Sequence, residues 1–526
     1  MTLKDFLISR GVNNPDHYVN LTWADVNSPD LLCNIKSAKR LLIKHIISRT
    51  QIRILVDTDV DGYTSAAMLY LSLEWLNHIG RGELVKYIIH RTNKSHGLAK
   101  QDFKLDLTDD SLLIIPDAGT NDDEFIKQLN CDILILDHHI RESEAPITGA
   151  VLVNPQVSDK YQNKYLCGAG VVYQFLRYLS KDKDDYYYDD LCALALIADV
   201  MDMRSYETKF LTTNGLSNIR NPFLKTLIKY TEKKTNGNLT IRNVQMYINP
   251  LINAIIRVGS FEERDLLFQA FCTTDQVFHD RVIFIAEECK DRQNNLINEW
   301  MNNQQFNTNN KLLVVNCKLD DGVLGVVAQK IFSATGVNTI VIGEDGQGHA
   351  RGNSGFKSAC EKSELCESCL GHEEAFGLSI KDENIEALTD YMNKSEQEEM
   401  KNDYDILESE NFVFDSANLN PLCEFEPYYG TGIDPISVRF ENNIFSYEDI
   451  SIIGKNKDTL KIAYDDQVFV MIFFYNKDTE LVEQIKKIKK EKSDFIMSAT
   501  CNVSRSEYFG KRTWSLIANR YEVTQI

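Results

Sequence analysis

The chain has 526 residues, 43% of them apolar and 25% charged, with 57 Lys and Arg against 77 Asp and Glu and a net charge of −20. At about 100–200 residues per domain this length predicts about three domains with separate cores and excludes a small stapled scaffold. No window reaches the roughly 18 uninterrupted apolar residues of a membrane span, the start MTLKDFLISRG lacks the apolar core of a secretion signal, and the twelve cysteines are scattered through predicted strands and helices, as at Cys33, Cys131, Cys167 and Cys192. A soluble protein of a reducing cytoplasm is expected.

From Ile52 to about Val200, short apolar runs alternate with amphipathic stretches: IRILVD, SAAMLYLSLEWL, LLIIPD, DILILD, AVLVN and the helical DLCALALIADV. Such alternation predicts βαβ units on a parallel sheet. Three of the strands run directly into an acid, Val56 into Asp57, Pro116 into Asp117 and Leu136 into Asp137. In open α/β sheets the carboxyl ends of the strands form the ligand crevice, so these acids should converge. The tract KDKDDYYYDD, from Lys181 to Asp190, reads as a solvated loop or helix entry without chemistry. Phe261 to Gln305 holds no Gly or Pro and keeps helical spacing, predicting a long connecting helix with an interruption near Thr273. LLVVNC, GVLGVVAQKIFSATG and NTIVIG then restart an α/β pattern, a smaller domain from about Asn310 to Met392. SEQEEMKNDYDILESE reads as an acidic linker, and after Phe412 short alternating segments broken by Asn, Asp and Gly predict a small β-barrel or sandwich.

Two local signals carry chemistry. DTDVDG sets Asp57, Asp59 and Asp61 directly after a strand, and carboxylates held that close are costly unless a cation neutralises them. The same acids could equally serve as turn formers and caps of the helix that follows. LDHHI sets Asp137, His138 and His139 at another strand end. Imidazole with carboxylate suits Mn, Zn or Fe-like ions, with a neighbouring Asp orienting the ligating ring, although a buried hydrogen-bonded trio has the same composition. With Asp117 from PDAGTND and Asp199 from LIADVMD, four strand or helix ends deliver an inventory for two metal ions. The net negative charge is compatible with that inventory and leaves room for a local basic groove.

In this order DTDVDG, PDAGT, LDHH and IADV resemble the four motifs of the DHH phosphoesterase superfamily. The likeness extends toward the RecJ single-strand DNA exonucleases, and is closest to their compact phage and prophage forms. LISRGVNNPDHYVN resembles the RecJ leader, HRTNKSHGL stands where that family has NRFxxGYGL, LCGAGVVYQF is similar to LAGxGVxxK, and NPLINAIIRVG to PRINAAGR. DGVLGVVAQKI, GHARGNSGF and LGHEEAFGL resemble the associated DHHA1 domain, and EPYYGTGIDP with the β-rich tail resembles the RecJ oligonucleotide-binding (OB) fold. The resemblance implies an α/β chain divided into a leader (1–50) packing on the DHH domain, the DHH catalytic domain (51–260), a connecting helix (261–309), a DHHA1 domain (310–392), a linker (393–411) and an OB-like β-barrel (412–526).

What the resemblance further implies is a metal-dependent 5′→3′ exonuclease acting on single-stranded DNA and releasing nucleoside 5′-monophosphates, with two Mn²⁺ or Mg²⁺ ions per site. Its metal positions fall on Asp57, Asp59, Asp117, His138 and Asp199, with Asp117 bridging. His139 falls on a phosphate-facing position, Asp137 is expected to orient His138, and Asp61 to stand behind the ligands as a supporting catalytic acid. Arg91, Arg257, Arg351 and His372 are the expected substrate contacts, the last two at the 5′-phosphate end. A single-strand-binding protein or a helicase is the expected protein partner, with no membrane. Departures from the family pattern are His90 before Arg91, Leu251 in place of an Arg, and Leu370-Gly371-His372 for Gly-Gly-His. The alternative functions are a DHH phosphodiesterase for short oligoribonucleotides or cyclic dinucleotides, disfavoured by the β-rich tail, and a noncatalytic Cdc45-like replication scaffold, disfavoured by the intact acids. Cys360, Cys366, Cys369 and His372 contain a CxxC, but without the second half usual in zinc sites they read as thiols on a helix. In the tail, Lys486, Lys487, Lys489, Lys490 and Lys492 form a basic edge, and Arg505, Lys511 and Arg512 flank Tyr508, Phe509 and Trp514, a composition suited either to tracking single strands or to an ordinary barrel core.

Overall fold

The computed structural model describes residues 2–79, 83–92, 96–98, 107–180, 187–235, 237, 239–307, 310–344, 346–353, 355–394, 406–408, 415–453, 459–465, 467–473, 479–508 and 511–526. Phe509, most of the 181–190 tract and most of the acidic linker lie outside the described residues, as do the side chains of His372, Tyr508, Lys511 and Arg512. The chain divides into two compact units, Met1–Gln293 with Pro427–Asp434, and Asn294–Glu426 with Pro435–Ile526.

In the first unit, β1 (Ile52–Val56), β2 (Val85–Ile89), β3 (Leu112–Pro116), β4 (Asp132–Leu136) and β5 (Val151–Val153) form an all-parallel sheet in the order β2-β1-β3-β4-β5. Every residue of β1 and β3 is buried, which is why these strands read as continuous apolar runs rather than alternating ones. The helices Val60–Leu73, Gly168–Leu179 and Asp189–Ala198 pack on one another in this unit. The leader is tied to the same unit by hydrogen bonds rather than by chain proximity. Tyr18 Oη donates to the Met203 carbonyl (2.7 Å), the Cys33 N–H to Ser158 Oγ (2.9 Å), and Asn34 Nδ2 to the Leu152 carbonyl (2.9 Å).

The predicted long helix is two helices, Phe261–Cys272 and Gln276–Asn302. Thr273 adopts an extended conformation, and the Asp275 carboxylate accepts from the N–H groups of Val277 (2.9 Å) and Phe278 (3.3 Å), a cap that restarts the helix without Gly or Pro. In the first of these helices Arg264 is 1% exposed. Its guanidinium donates to the carbonyls of His90 (2.9 Å), Thr92 (2.7 Å) and Arg91, fixing the turn that leaves β2.

The second unit holds two sheets. β6 (Leu312–Asn316), β7 (Asn338–Ile342), β8 (Gln347–Arg351), β9 (Cys366–His372) and β10 (Ala375–Ile380) run in the order β6-β7-β8-β10-β9, with only the β6–β7 pair parallel. Cys360 lies buried on the helix Phe356–Lys362, whereas Cys366 and Cys369 lie on β9, so the three thiols do not share the helix expected for them. β11 (Ile406–Glu408), β12 (Ser437–Phe445), β13 (Ile450–Ile453), β14 (Thr459–Asp465), β15 (Val468–Phe473), β16 (Phe495–Tyr508) and β17 (Lys511–Gln525) form the last sheet, in the order β11-β12-β16-β17-β15-β14-β13. Ile406–Glu408, expected as linker, is thus an edge strand paired parallel to β12. Among the described residues no pairing joins β11 to β13, so the tail is a seven-stranded sheet whose closure into a barrel is not seen. Trp514 is 4% exposed and belongs to the core instead of a stacking surface. The helix Thr479–Glu491 buries Leu481, Ile485 and Ile488 and leaves Lys486, Lys487, Lys489 and Lys490 exposed, with Lys492 just beyond. All twelve cysteines are free, and no helix among the described residues is long and apolar enough to cross a membrane.

Arg264→Leu keeps the apolar stem of the side chain but leaves the carbonyls of residues 90–92 without their charged donor. It should cost about 1.5–3 kcal/mol, the range for a hydrogen bond to a charged group, measured by urea unfolding. A change within the ~0.5 kcal/mol usual for surface positions would show that water satisfies these carbonyls equally well.

Candidate metal centre at the ends of the parallel strands

With β1 flanked by β2 on one side and β3 on the other, the strand order reverses direction at β1, and the crevice of such a sheet opens at the carboxyl ends beside that point. Asp57 follows β1, Asp117 follows β3 and Asp137 follows β4. Asp199 caps the C-terminus of the helix Asp189–Ala198. The backbone is strained where two of these acids are presented. Asp117 itself has φ +62°, and Val200, directly after Asp199, has φ +55°, an outlying conformation for a β-branched residue.

Close approach is what makes room for the cluster. A Cβ at Gly62 would lie 2.6 Å from the Asp57 Cβ, and one at Gly168 would lie 2.5 Å from the Asp117 Cβ. The two glycines therefore let the N-termini of the helices Val60–Leu73 and Gly168–Leu179 sit directly on the acids. Asp59 caps the first helix, its Oδ1 accepting from the Gly62 N–H (2.8 Å). Asp61 serves the second, accepting from the N–H groups of Gly168 (2.6 Å) and Ala169 (2.7 Å), an anion at a helix N-terminus. Both Asp61 oxygens are thus engaged by backbone, which fits a supporting acid better than a ligand, although Asp61 also lies within reach of His138 and Asp199.

Three overlapping groups of possible ligands result among the described residues, one of them Asp117 with Asp137, His138 and His139. In another, an oxygen from each of Asp57, Asp59 and Asp117 lies within 4.8 Å of the others; in the third, an oxygen of Asp61, an oxygen of Asp199 and a ring nitrogen of His138 lie as close. Asp117 joins them, because its Oδ1 is 3.3 Å from His138 Nε2, which is also 3.5 Å from Asp199 Oδ2 and 3.9 Å from Asp61 Oδ2. All five expected metal positions are therefore brought together. Burial, followed by the neighbouring carboxylates, pushes the Asp117 and Asp199 carboxyls well above their ordinary values. Asp59 lines the open side of the cleft; desolvation by the protein around it, then Asp57 and Asp61, push it up to about 6. Burial, with His139 alongside, pulls His138 down to about 4, so at neutral pH it presents a neutral imidazole. Asp199 Oδ2 is buried with no hydrogen-bond donor among the described residues. Crowded carboxylates, a neutral imidazole and an orphaned oxygen are a donor set that a divalent cation fits.

The DHH triplet is wired differently from the expectation. Asp137 orients His139, not His138: its Oδ1 accepts from His139 Nδ1 (2.8 Å) as well as from the N–H groups of His138 (2.7 Å) and His139 (3.2 Å), and its Oδ2 from the Thr120 N–H (3.0 Å). The physical reason is the turn after β4, which folds the second imidazole back onto the acid and sends the first into the cluster. Burial opposes ionisation of Asp137, but His139 and the other donors hold it well below the usual carboxylate range, and Asp137 in turn holds His139 above its ordinary value against the pull of burial.

Among the expected substrate contacts, Arg91 is exposed at the end of β2. Arg257 ends the helix Asn249–Val258, where burial lowers its pKa and the Asp59 carboxylate raises it, so it lies within electrostatic reach of the cleft. Arg351 and His372 belong to the second unit, where both pair with Ala375 of β10, on its two sides, and so occupy one row across that sheet. The residue the sequence reading passed over is His96, whose Nδ1 lies 2.7 Å from Asp57 Oδ2. A signal was available, because β2 borders β1 and the strand-end rule applies to the segment following β2 as well. His90, in that segment, is buried with Nε2 3.9 Å from Asp57 Oδ1.

A carboxyl raised by folding binds its proton more tightly in the folded chain than in the unfolded one. For Asp59 that contribution to stability is present below its ordinary value of 3.8 and is lost as pH rises through about 6. A divalent cation requires the carboxyls deprotonated and reverses the slope. The rise in thermal midpoint produced by Mn²⁺ should therefore grow between about pH 5 and about pH 7.5 and vanish with EDTA, followed by differential scanning fluorimetry. A rise independent of pH would disconnect these carboxyls from the ion.

Residues 51–198 match the DHH family, N-terminal domain. The chain is 28% identical over 572 aligned positions, covering 99% of it and 96% of the relative, to YorK of the SPbeta prophage in Bacillus subtilis, which carries the name of a single-strand DNA-specific exonuclease. It is 25% identical over 412 positions to RecJ of Bacillus subtilis, covering 74% of this chain and 51% of RecJ. Among solved structures, RecJ from Thermus thermophilus in complex with Mn²⁺ matches 99% of this chain and 78% of its own, with a TM-score of 0.67 at 18% identity. The expected resemblance thus holds: the chain carries a DHH-family N-terminal domain at residues 51–198, on a RecJ-like fold.

Proposed function

We propose that this protein is a single-stranded DNA exonuclease that hydrolyses phosphodiester bonds from the 5′ end and releases nucleoside 5′-monophosphates, using two Mn²⁺ or Mg²⁺ ions. The observation that carries the reading is the pair of ligand groups joined through Asp117 at the point where the sheet order reverses. Asp57, Asp59 and Asp117 would hold one ion, and His138 and Asp199, with Asp117, the other. When bound, such a pair neutralises the scissile phosphate and acidifies a water for in-line attack. The names carried by YorK and RecJ support the choice of single-stranded DNA, and the polarity and product come from the family resemblance.

The chain's own residues then act around the phosphate. The Asp137 carboxylate accepts from His139 Nδ1–H and favours the protonated ring, whose second N–H, on Nε2 of that half-exposed side chain, would donate to a nonbridging oxygen. Asp61 holds the helix Gly168–Leu179 against Asp117, the residue that would serve both ions. Arg91 and Arg257 are proposed to hold phosphates along the strand, and Arg351 with His372 the 5′-phosphate, because a guanidinium fork matches phosphate oxygens. The domain division given above is retained as part of this proposal, with the lysine edge of the tail adding contacts along a longer strand. A helicase or single-strand-binding protein in the cytoplasm would present that strand.

Asp117→Ala should abolish hydrolysis of end-labelled single-stranded DNA in Mn²⁺ while circular dichroism remains that of the parent, since both ligand groups depend on this residue. Near-parental turnover in a preparation free of contaminating nuclease would remove the assigned centre. Arg351→Ala should weaken use of 5′-phosphorylated ends relative to 5′-hydroxyl ends by about 1.5–3 kcal/mol, the value of a charge-assisted contact, without altering Mn²⁺ affinity. An unchanged preference would take Arg351 out of the end pocket.

A further inference from the structure

The segment that follows β2 returns to the cleft at His96 and grips one acid from two sides. His96 Nδ1 lies 2.7 Å from Asp57 Oδ2, and the Gly97 N–H donates to Asp57 Oδ1 at 2.9 Å. The next residue anchors the grip, the Leu98 N–H donating to Asp122 Oδ2 at 2.6 Å. The Asp57 side chain is 3% exposed, whereas the His96 ring is 53% exposed and stands edge-on to His139, with ring centroids 4.9 Å apart. The ring thus has one nitrogen on the acid and its other face toward the cleft.

Resting on the two-ion reading above, we propose that His96 and Gly97 form a positioning clamp for Asp57, which fixes the orientation of its carboxylate so that it can serve the ion held with Asp59 and Asp117. The lone-pair count permits this. A carboxylate offers about four acceptor sites, and one on each oxygen is used by the clamp, leaving one on each for a cation. With the clamp made, Asp57 still keeps an oxygen within 4.8 Å of oxygens of Asp59 and Asp117, so the grip is compatible with the ligand group instead of competing with it. Geometry also selects which ion is affected. His96 touches Asp57 and no member of the Asp61, His138 and Asp199 group within hydrogen-bond distance among the described residues, so only one of two binding steps should respond to it. His96 is therefore a positioning residue acting through Asp57, with no step of its own at the phosphate.

The test is Mn²⁺ binding to the full chain, by isothermal titration calorimetry and by the electron paramagnetic resonance signal of free Mn²⁺, for the parent, H96A and H96N. An Asn amide nitrogen can occupy the place of imidazole Nδ1 and keep the donor, whereas Ala cannot. H96A should weaken one of the two binding steps by about 10- to 100-fold, the range for loss of a group that orients a metal ligand, and leave the other unchanged. H96N should recover most of that loss. At saturating Mn²⁺ the kcat of H96A should return toward the parent value, since the ion and not the ring meets the substrate. Unchanged or tighter Mn²⁺ binding in H96A would overturn the clamp, the latter by showing that the ring blocks the ion. Equal losses in H96A and H96N would overturn it too, by making the ring itself a ligand. A parent chain that takes up no Mn²⁺ is a different result, and it would bring down the two-ion reading along with the clamp.

Discussion

Mutual repulsion among converging carboxylates is the constraint on which the first unit is built. Asp57, Asp59, Asp117 and Asp199 converge beside His138, whose ring is held neutral. Charges of one sign in a partly desolvated cleft raise one another's proton affinity, as they do at Asp117 and Asp199. A chain selected for stability alone would replace such a cluster by apolar residues. Its persistence here, with strained backbone at Asp117 and Val200, is the pattern of a site whose cost to the fold is offset only when something positively charged is bound.

The surrounding structure divides those acids by what already satisfies them. Asp61 and Asp137 each accept more than two hydrogen bonds, the first from a helix N-terminus and Ser65, the second from Thr120 and the turn after β4. They are held in place by those donors and function as struts. Among the described residues Asp117 and Asp199 have few donors, and Asp199 has an oxygen with none. Carboxylates of the first kind orient their neighbours, while those of the second kind are available to a cation. Asp57 lies between the two classes, with one donor on each oxygen, and this is why the residue that supplies one of those donors acquires leverage over the ion.

Much of this was legible in the sequence because strand ends are legible. The strands within IRILVD, LLIIPD and DILILD each stop one residue before the acid, and the parallel order that brings those ends side by side follows from the alternation of apolar runs with helices. The pairing inside the DHH triplet was not legible, because which of two adjacent imidazoles turns back onto Asp137 depends on the backbone path after the strand and not on residue type. His96 was passed over for a related reason: its partner is 39 residues away in sequence, and only the adjacency of β1 and β2 brings them together. In the tail the short alternating strands were readable, whereas Trp514 could not be assigned to core or surface from composition, since an aromatic among cations fits either. Ile406–Glu408 was hidden by its acidic surroundings, and its strand character comes from pairing with β12, a tertiary effect that outweighs local composition.

The DHH match ends at residue 198, one residue short of Asp199, and the support of that last acid comes from far along the chain. The loop after Asp199 is bound through Met203, whose N–H donates to the Thr431 carbonyl at 2.9 Å, while a Cβ on Gly430 would lie 2.7 Å from the Met203 side chain. The same returning segment accepts from Lys209 Nζ at the Pro427 carbonyl (2.9 Å) and from Arg10 Nε at the Asp434 carbonyl (2.8 Å). Burial pulls Lys209 down to about 8, and its ammonium also lies over the Tyr428 ring. Residues 427–434 therefore belong to the first unit by contact, though they lie beyond the second sheet in sequence. A fragment ending before them would keep every acid of the cluster and lose part of what holds Asp199 in its strained approach. The physical boundary of the metal centre is thus set by hydrogen bonds to the Val200–Arg204 loop, and not by the point at which the family's motifs run out.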